Sequence, residues 1–301
     1  MTNIRICSIF IGYKMTENSS TNPLQQYYRQ PAIYIKLPSE GRYYDKNTFA
    51  PTETGELPIL PMTAKDELAF KTPDALINGQ ATVDVIKSCV PNMLDPWKMV
   101  NYDTDAILLA IRIATYGETM DISYVVPVVN QTQNHTINVP SILEQLAKVT
   151  IDDYATTAKG FKIKINPLTY KNLTKIQIAR FEQQKMAGTV NESTLSEEQK
   201  QSAFAKSWAT LNTVNFSLLV DSIGEVHTPD GAIVTDRAQI IEFCNNADTK
   251  TIKEIEEKLS ALRVQAQTPA LKIKATEEQI KAGVPTTFEV PITFDNSNFF
   301  G

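Results

Sequence analysis

The chain reads as an α+β protein built from helical blocks, two β-hairpin arms and one long αα-hairpin. Three observations carry that reading. The stretch ISYVVPVVNQTQNHTINVP, residues 122 to 140, is two β-branched strands around a polar turn, with a Val-Pro-Val-Val knuckle of the shape that usually carries metal ligands. Phe204, Trp208, Leu211, Val214 and Leu218 fall at spacings of four, three, three and four, which is one continuous helical stripe. The chain closes with two strand-like segments, ALKIKA and TTFEVPITF, ahead of the tail DNSNFFG.

Residues 1–26 start apolar and turn Ser/Asn-rich, with too little to bury, and are expected to be disordered. A first α+β domain spans 27–150. Ala32 to Leu37 alternate as a strand, Pro38-Ser39-Glu40-Gly41 supplies turn chemistry, and LPILPM repeats the extended character. Thr63 is placed to cap a helix in PMTAKDELAF, with Asp66 and Glu67 in its first turn, where the helix dipole favours negative charge. Thr72-Pro73 opens a second short helix and ATVDVIKSCV forms a third. YDTDAILLAIRIATYG runs from a cap at Asp103 or Thr104 to a stop at Gly117, apolar on nearly every face and therefore central. The quoted hairpin follows, and PSILEQLAKV closes the domain.

The second domain, 151–301, begins with FKIKI as a strand. Asn166-Pro167 supplies an N-cap and a first-turn proline for a helix running to Ala187, and a second helix starts at Ser196. After a turn at His227-Thr228-Pro229-Asp230-Gly231 comes a helix capped at Thr235. A charged helix follows, with Ile252, Ile255, Leu259 and Leu262 inward and Glu254 paired to Lys258. Each half thus ends in strand, loop, strand, which suggests an internal duplication.

A chain of 301 residues buries a core without help from disulfides. Three cysteines, Cys7, Cys89 and Cys244, lie far apart and form no CxxC, so they define neither a disulfide framework nor a zinc site. Twenty-nine basic against 34 acidic residues leave a net charge of −5 without a basic stripe, which excludes general nucleic-acid affinity. The longest apolar run, AILLAI, is too short to span a bilayer, so no membrane partner is expected.

No phosphate-binding loop, dinucleotide fingerprint, nucleophile elbow or metalloprotease motif occurs. His135 and His227 stand in exposed loop contexts, and the pairs Asp66/Glu67, Asp103/Asp105 and Asp152/Asp153 read as caps and solvated faces rather than catalytic dyads. Arg112 differs, because it interrupts an apolar helix. It must either snorkel to water or find a carboxylate, and Glu67 and Asp66 are the candidates for a structural ion pair. Phe299 and Phe300 in the tail either fold into the core or serve, with Phe204, Trp208 and Leu211, as aromatic anchors for a partner.

KLPSEGRYYD, ELPILPMTAKDELAFKTPDALINGQATVDVIKSCV and DTDAILLAIRIATYGETMDISYVVPV together resemble the baseplate hub assembly proteins of T-even-type contractile-tailed bacteriophages. The likeness covers residues 33 to 150 and returns in the final Phe288 to Phe300 stretch. It implies a non-catalytic factor that chaperones or templates hub and tape-measure proteins in the host cytoplasm, without cofactor, and is compatible with a homo-oligomer. Retention in the virion baseplate as a structural subunit, or a baseplate cell-wall hydrolase, are the alternatives. Many such proteins carry Cys-Pro-x-Cys at the knuckle, where this chain has Val126-Pro127-Val128-Val129. The resemblance therefore implies a zinc-ribbon-like arm that has lost its metal and holds its shape by burying valine.

Overall fold

Ile33, Tyr34 and Ile35 alternate in and out, and they form the central strand of a three-stranded antiparallel sheet. In the computed structural model, which describes residues 5–6, 22–70, 79–192, 196–292 and 299, strand β1 (Arg5–Ile6) and strand β3 (Leu57–Ile59) flank β2 (Ile33–Ile35). Pro58 is tolerated because β3 is an edge strand. Within the first 27 residues, β1 pairs with β2, and Asn22 caps a 3-10 turn at Pro23–Tyr27. The expected Thr72-Pro73 helix lies outside the described residues.

Helix α1 (Ala64–Phe70) begins at Thr63 as expected, since the Thr63 hydroxyl accepts from the Asp66 amide at 3.3 Å. Helix α2 (Gln80–Cys89) buries Val83, Val85 and Ile86. Its entry residue Gly79 has φ +75° and lies so close to Tyr170 and Thr174 that an added Cβ would meet them at 3.0–3.1 Å, so only glycine fits. Helix α3 (Asn101–Tyr116) is buried along most of its length and stops at Gly117. It starts before the expected cap, because the Asp103 carboxylate is used elsewhere: it accepts from the Ser39 amide at 2.9 Å, the Ser39 hydroxyl, and the Tyr44 hydroxyl at 2.5 Å.

The hairpin of β4 (Thr119–Val125) and β5 (Thr132–Asn138) pairs in unbroken register and runs into α4 (Val139–Leu146), capped by Asn138. Strands β6 (Tyr154–Thr156), β7 (Lys162–Ile165), β8 (Ile223–His227) and β9 (Ile233–Val234) make an antiparallel sheet in that order. Between β7 and β8 rises the αα-hairpin, α5 (Tyr170–Glu192) and α6 (Glu197–Ser222), with Ser196 and Gln199 forming a capping box. Asn166-Pro167 does not open α5. The Asn166 amide donates to the Ser222 carbonyl at 2.7 Å and the Leu168 carbonyl accepts from Asn101 at 3.1 Å, so this backbone is committed to tertiary contacts and the helix starts at Tyr170.

Helix α7 (Arg237–Asn246) is capped by Asp236 rather than Thr235. Helix α8 (Thr249–Gln265) turns Ile255, Leu259 and Leu262 inward as expected. Its Lys258 reaches across to Asp152 at 2.5 Å, and Glu254 accepts from the Ala158 amide at 3.0 Å, so the expected pair within the helix is replaced by two bonds to the β6 region. The chain ends in β10 (Leu271–Lys274), the short α9 (Glu277–Lys281) and β11 (Thr287–Val290), with β10 and β11 antiparallel. One hydrophobic cluster runs from Ile33 through Leu109, Ile163 and Leu262 to Phe299, crossing the expected domain boundary at 150 without interruption.

The expected ion pair of Arg112 with Glu67 or Asp66 is absent among the described residues. Asp66 is claimed by Arg29 at 3.2 Å and accepts further bonds from Thr63 and Ser88. Arg112, only 8% exposed, instead lays its guanidinium over the Tyr116 ring at 4.6 Å, and Tyr116 donates to Glu67 at 3.0 Å. An aromatic ring thus stands between the two charges, while Nε and Nη1 of Arg112 have no hydrogen-bond partner. Asp66→Ala, which removes the carboxylate from the partly buried Arg29, is expected to cost about 1.5–3 kcal/mol. Arg112→Leu, which removes a poorly satisfied charge, should change stability by less than about 1 kcal/mol. Urea midpoints of the two variants check this, and comparable losses would contradict it.

Candidate functional site

The β4–β5 arm closes at the valine knuckle. The Val126 amide donates to the Gln131 carbonyl at 2.9 Å, and the Asn130 amide returns to the Val126 carbonyl at 3.0 Å, which forces a tight reversal. Val128 takes φ +69° and Asn130 φ +53°. Asparagine tolerates that conformation; a β-branched residue is strained in it, by roughly 1–3 kcal/mol. What holds the reversal is burial. Val126 is fully enclosed with Ile273, Val284 and Phe288, while Val129 and Tyr124 pack on the same small cluster. The two arms are therefore bound to each other through a second core, with the Tyr124 and Phe288 rings 5.8 Å apart. Pro127 follows Val126 at the turn, and no group of three or more His, Cys, Asp or Glu suited to a metal lies among the described residues.

The αα-hairpin presents a different surface. Its helices of 23 and 26 residues span about 35–40 Å at 1.5 Å per residue, so their far ends lie well away from the main cluster. The stripe predicted from spacing is buried only at its base. Leu218 is buried, Val214, Leu211 and Phe204 are half-buried, and Trp208 is 58% exposed. On α5, Phe181 is 49% exposed and Met186 is also exposed. Phe299 is 2% exposed and belongs to the main cluster, so it is core and not an accessible anchor. The physical reason is that the ring gains more by joining an existing apolar cluster than by waiting in water for a partner. Phe300 lies outside the described residues.

A third feature lies where α3, α5 and α8 converge. The Asn101 side chain donates to the Ala266 carbonyl at 2.8 Å, and Thr268 donates to Asp105 at 2.6 Å, tying the start of α3 to the end of α8. Beside this seam opens a cleft of about 340 Å³ with Leu168, Ile176, Leu259, Arg180 and Arg263 on its walls. Burial pushes the Asp105 carboxyl up to about 7, opposed by the Thr268 bond, and pushes Asp103 up to about 6, opposed by Ser39 and Tyr44. Sequence spacing gave no signal for this cleft or for Arg29, since the residues involved are brought together from distant segments.

The other expected sites disperse. His135 is exposed on β5, and His227 lies 3.1 Å from Glu225, which also accepts from Tyr154 at 2.9 Å, within the four-stranded sheet. Each named carboxylate pair is engaged structurally in at least one member, with Asp153 within 3.4 Å of the Tyr43 hydroxyl and Asp152 on Lys258.

A family model described as T4 bacteriophage base plate protein matches residues 31–295, a span that includes both arms, the αα-hairpin and the cleft. The chain belongs to the T4 baseplate protein family. No curated protein and no solved structure matches it. Membership points to a structural role in the phage baseplate alongside other baseplate proteins, and no described helix is long and apolar enough to cross a membrane.

Because the knuckle of this baseplate protein is packed by valine, the purified chain is expected to contain well under one equivalent of zinc by elemental analysis. Val126→Ala should loosen the arms, costing about 1–2 kcal/mol, read as faster amide exchange in β10 and β11 with the α3 amides unchanged. The half-buried acid Asp105 gives a pH effect of definite sign. The folded-state value of Asp105, about 7, lies above its ordinary 3.8, so its ionisation favours unfolding. Its contribution is complete below about pH 4 and is lost as pH rises through 7. Asp105→Asn, which keeps an acceptor for Thr268, should raise Tm at pH 8 by about 2–4 °C and flatten the profile between pH 5 and 8. An unchanged profile would show that Asp105 does not titrate there.

Proposed function

We propose that this baseplate protein acts in building the central hub of the baseplate, chaperoning or templating hub and tape-measure proteins without catalysing a reaction. The observation that carries the proposal is the αα-hairpin, which extends away from the core and leaves Trp208 and Phe181 in water on helices long enough to lie along a helical partner. Exposed aromatic side chains of that size are anchors at protein interfaces. The sequence likeness over residues 33 to 150 supplies the hub, and the acidic pairs engaged in structural bonds speak against a cell-wall hydrolase.

A second reading, a permanent subunit of the virion baseplate, is favoured by the same family membership. Mass spectrometry of purified virions separates the two. An assembly factor is expected to be absent from finished particles or far below one copy per hub, whereas a subunit appears at fixed copy number. Trp208→Glu should leave Tm within about 2 °C of the parent, because the residue is exposed, and should lower the yield of tails containing a complete hub at least tenfold. Normal tail yield with this variant would remove the hairpin from the partner surface.

A further inference from the structure

The cleft between α5 and α8 combines apolar and cationic lining. Leu168, Ile176 and Leu259 line it together with Arg180 from α5 and Arg263 from α8. Among the described residues neither guanidinium is paired with a carboxylate. Nε of Arg263 is buried and has no hydrogen-bond partner, which leaves a charged donor both desolvated and unused. Burial lowers the Arg263 pKa, and the neighbouring charge of Arg180 lowers it further, so the two cations are close enough to repel. Placement of Arg263 in the last turn of α8 satisfies one positive charge through the helix dipole; it does not account for the second on another helix.

We propose that this cleft receives a carboxylate of a partner protein, an Asp, Glu or chain terminus carried next to an apolar side chain. A carboxylate set between two guanidiniums relieves their repulsion and accepts from their Nη donors, for which arginine is suited. The apolar part of the lining favours a group with hydrocarbon attached over a fully hydrated oxyanion such as phosphate. The inference rests on the cleft and on membership in the baseplate family. It is independent of whether the chain is an assembly factor or a resident subunit, so either can fail alone.

The test uses the full chain and three small probes: hexanoate, hexanol and inorganic phosphate, titrated by ligand-observed NMR. Hexanoate is expected to bind saturably, and Arg180→Met and Arg263→Met should each weaken it about tenfold or more. Arg180 is exposed, so its variant remains informative if the other fails to fold. Absence of saturable hexanoate binding overturns the proposal. Equal binding of hexanol shows an apolar pocket in which the arginines play no part, and overturns it as well. Phosphate binding as tight as hexanoate, with the same dependence on both arginines, identifies a free oxyanion as the ligand in place of a protein carboxylate.

Discussion

The guanidinium of Arg29 is the point on which the first half of the molecule is fixed. It donates to the Pro61 carbonyl at 2.6 Å, to the Ser88 carbonyl and hydroxyl at 2.7 Å, and to Asp66 at 3.2 Å. Four segments therefore meet on one side chain: the entry strand region, the exit from β3, the start of α1 and the end of α2. A half-buried ion pair is favourable only where its remaining donors and acceptors are used, and here Asp66 is also bonded by Thr63 and Ser88. The clamp sets the sheet against the helices, and α3 is then laid on both through the Met62 amide, which donates to the Thr115 hydroxyl at 3.0 Å.

From α3 the rest is hung by polar bonds at the ends and apolar packing between. Asp103 near its start holds the Ser39–Tyr44 loop; Asn101 and Asp105 hold the end of α8. Placing two carboxylates in an apolar helix costs stability at neutral pH, as their raised pKa values record. What they supply is position. A helix that is apolar on every face can rotate about its axis with little change in burial, and bonds of fixed direction select one rotation.

Legibility in the sequence followed the range of the interactions. The αα-hairpin, α3, α8 and both arms are local patterns of period 3.6 or 2, and they appear where spacing puts them. Boundaries decided by distant partners are not legible in local pattern. Asn166-Pro167 has every local feature of a helix start, yet its backbone is bonded to Ser222; Glu254 and Lys258 have ideal spacing, yet each finds a better partner across the fold. Arg112 stands out in the sequence because it interrupts an apolar helix, whereas the ring it packs on, Tyr116 of the same helix, carries no signal in the spacing of carboxylates. Arg29 carries no local signal, since nothing in Arg-Gln-Pro distinguishes it from a surface residue.

The knuckle shows how such a protein divides rigid from available surface. A metal would fix the reversal by coordination, independent of what lies nearby. Fixing it through Val126 makes the β4–β5 arm depend on Ile273, Val284 and Phe288 from the far end of the chain. The two arms are thereby folded as one unit, joined to the body at both Thr119 and Leu271, and cannot swing apart without exposing that cluster. On the αα-hairpin, by contrast, Trp208 and Phe181 stand exposed, and burying them against an apolar surface would add stability. The arms, joined to the body at both ends, form a frame, and the exposed aromatic rings of the hairpin are the surface on which the proposed docking rests.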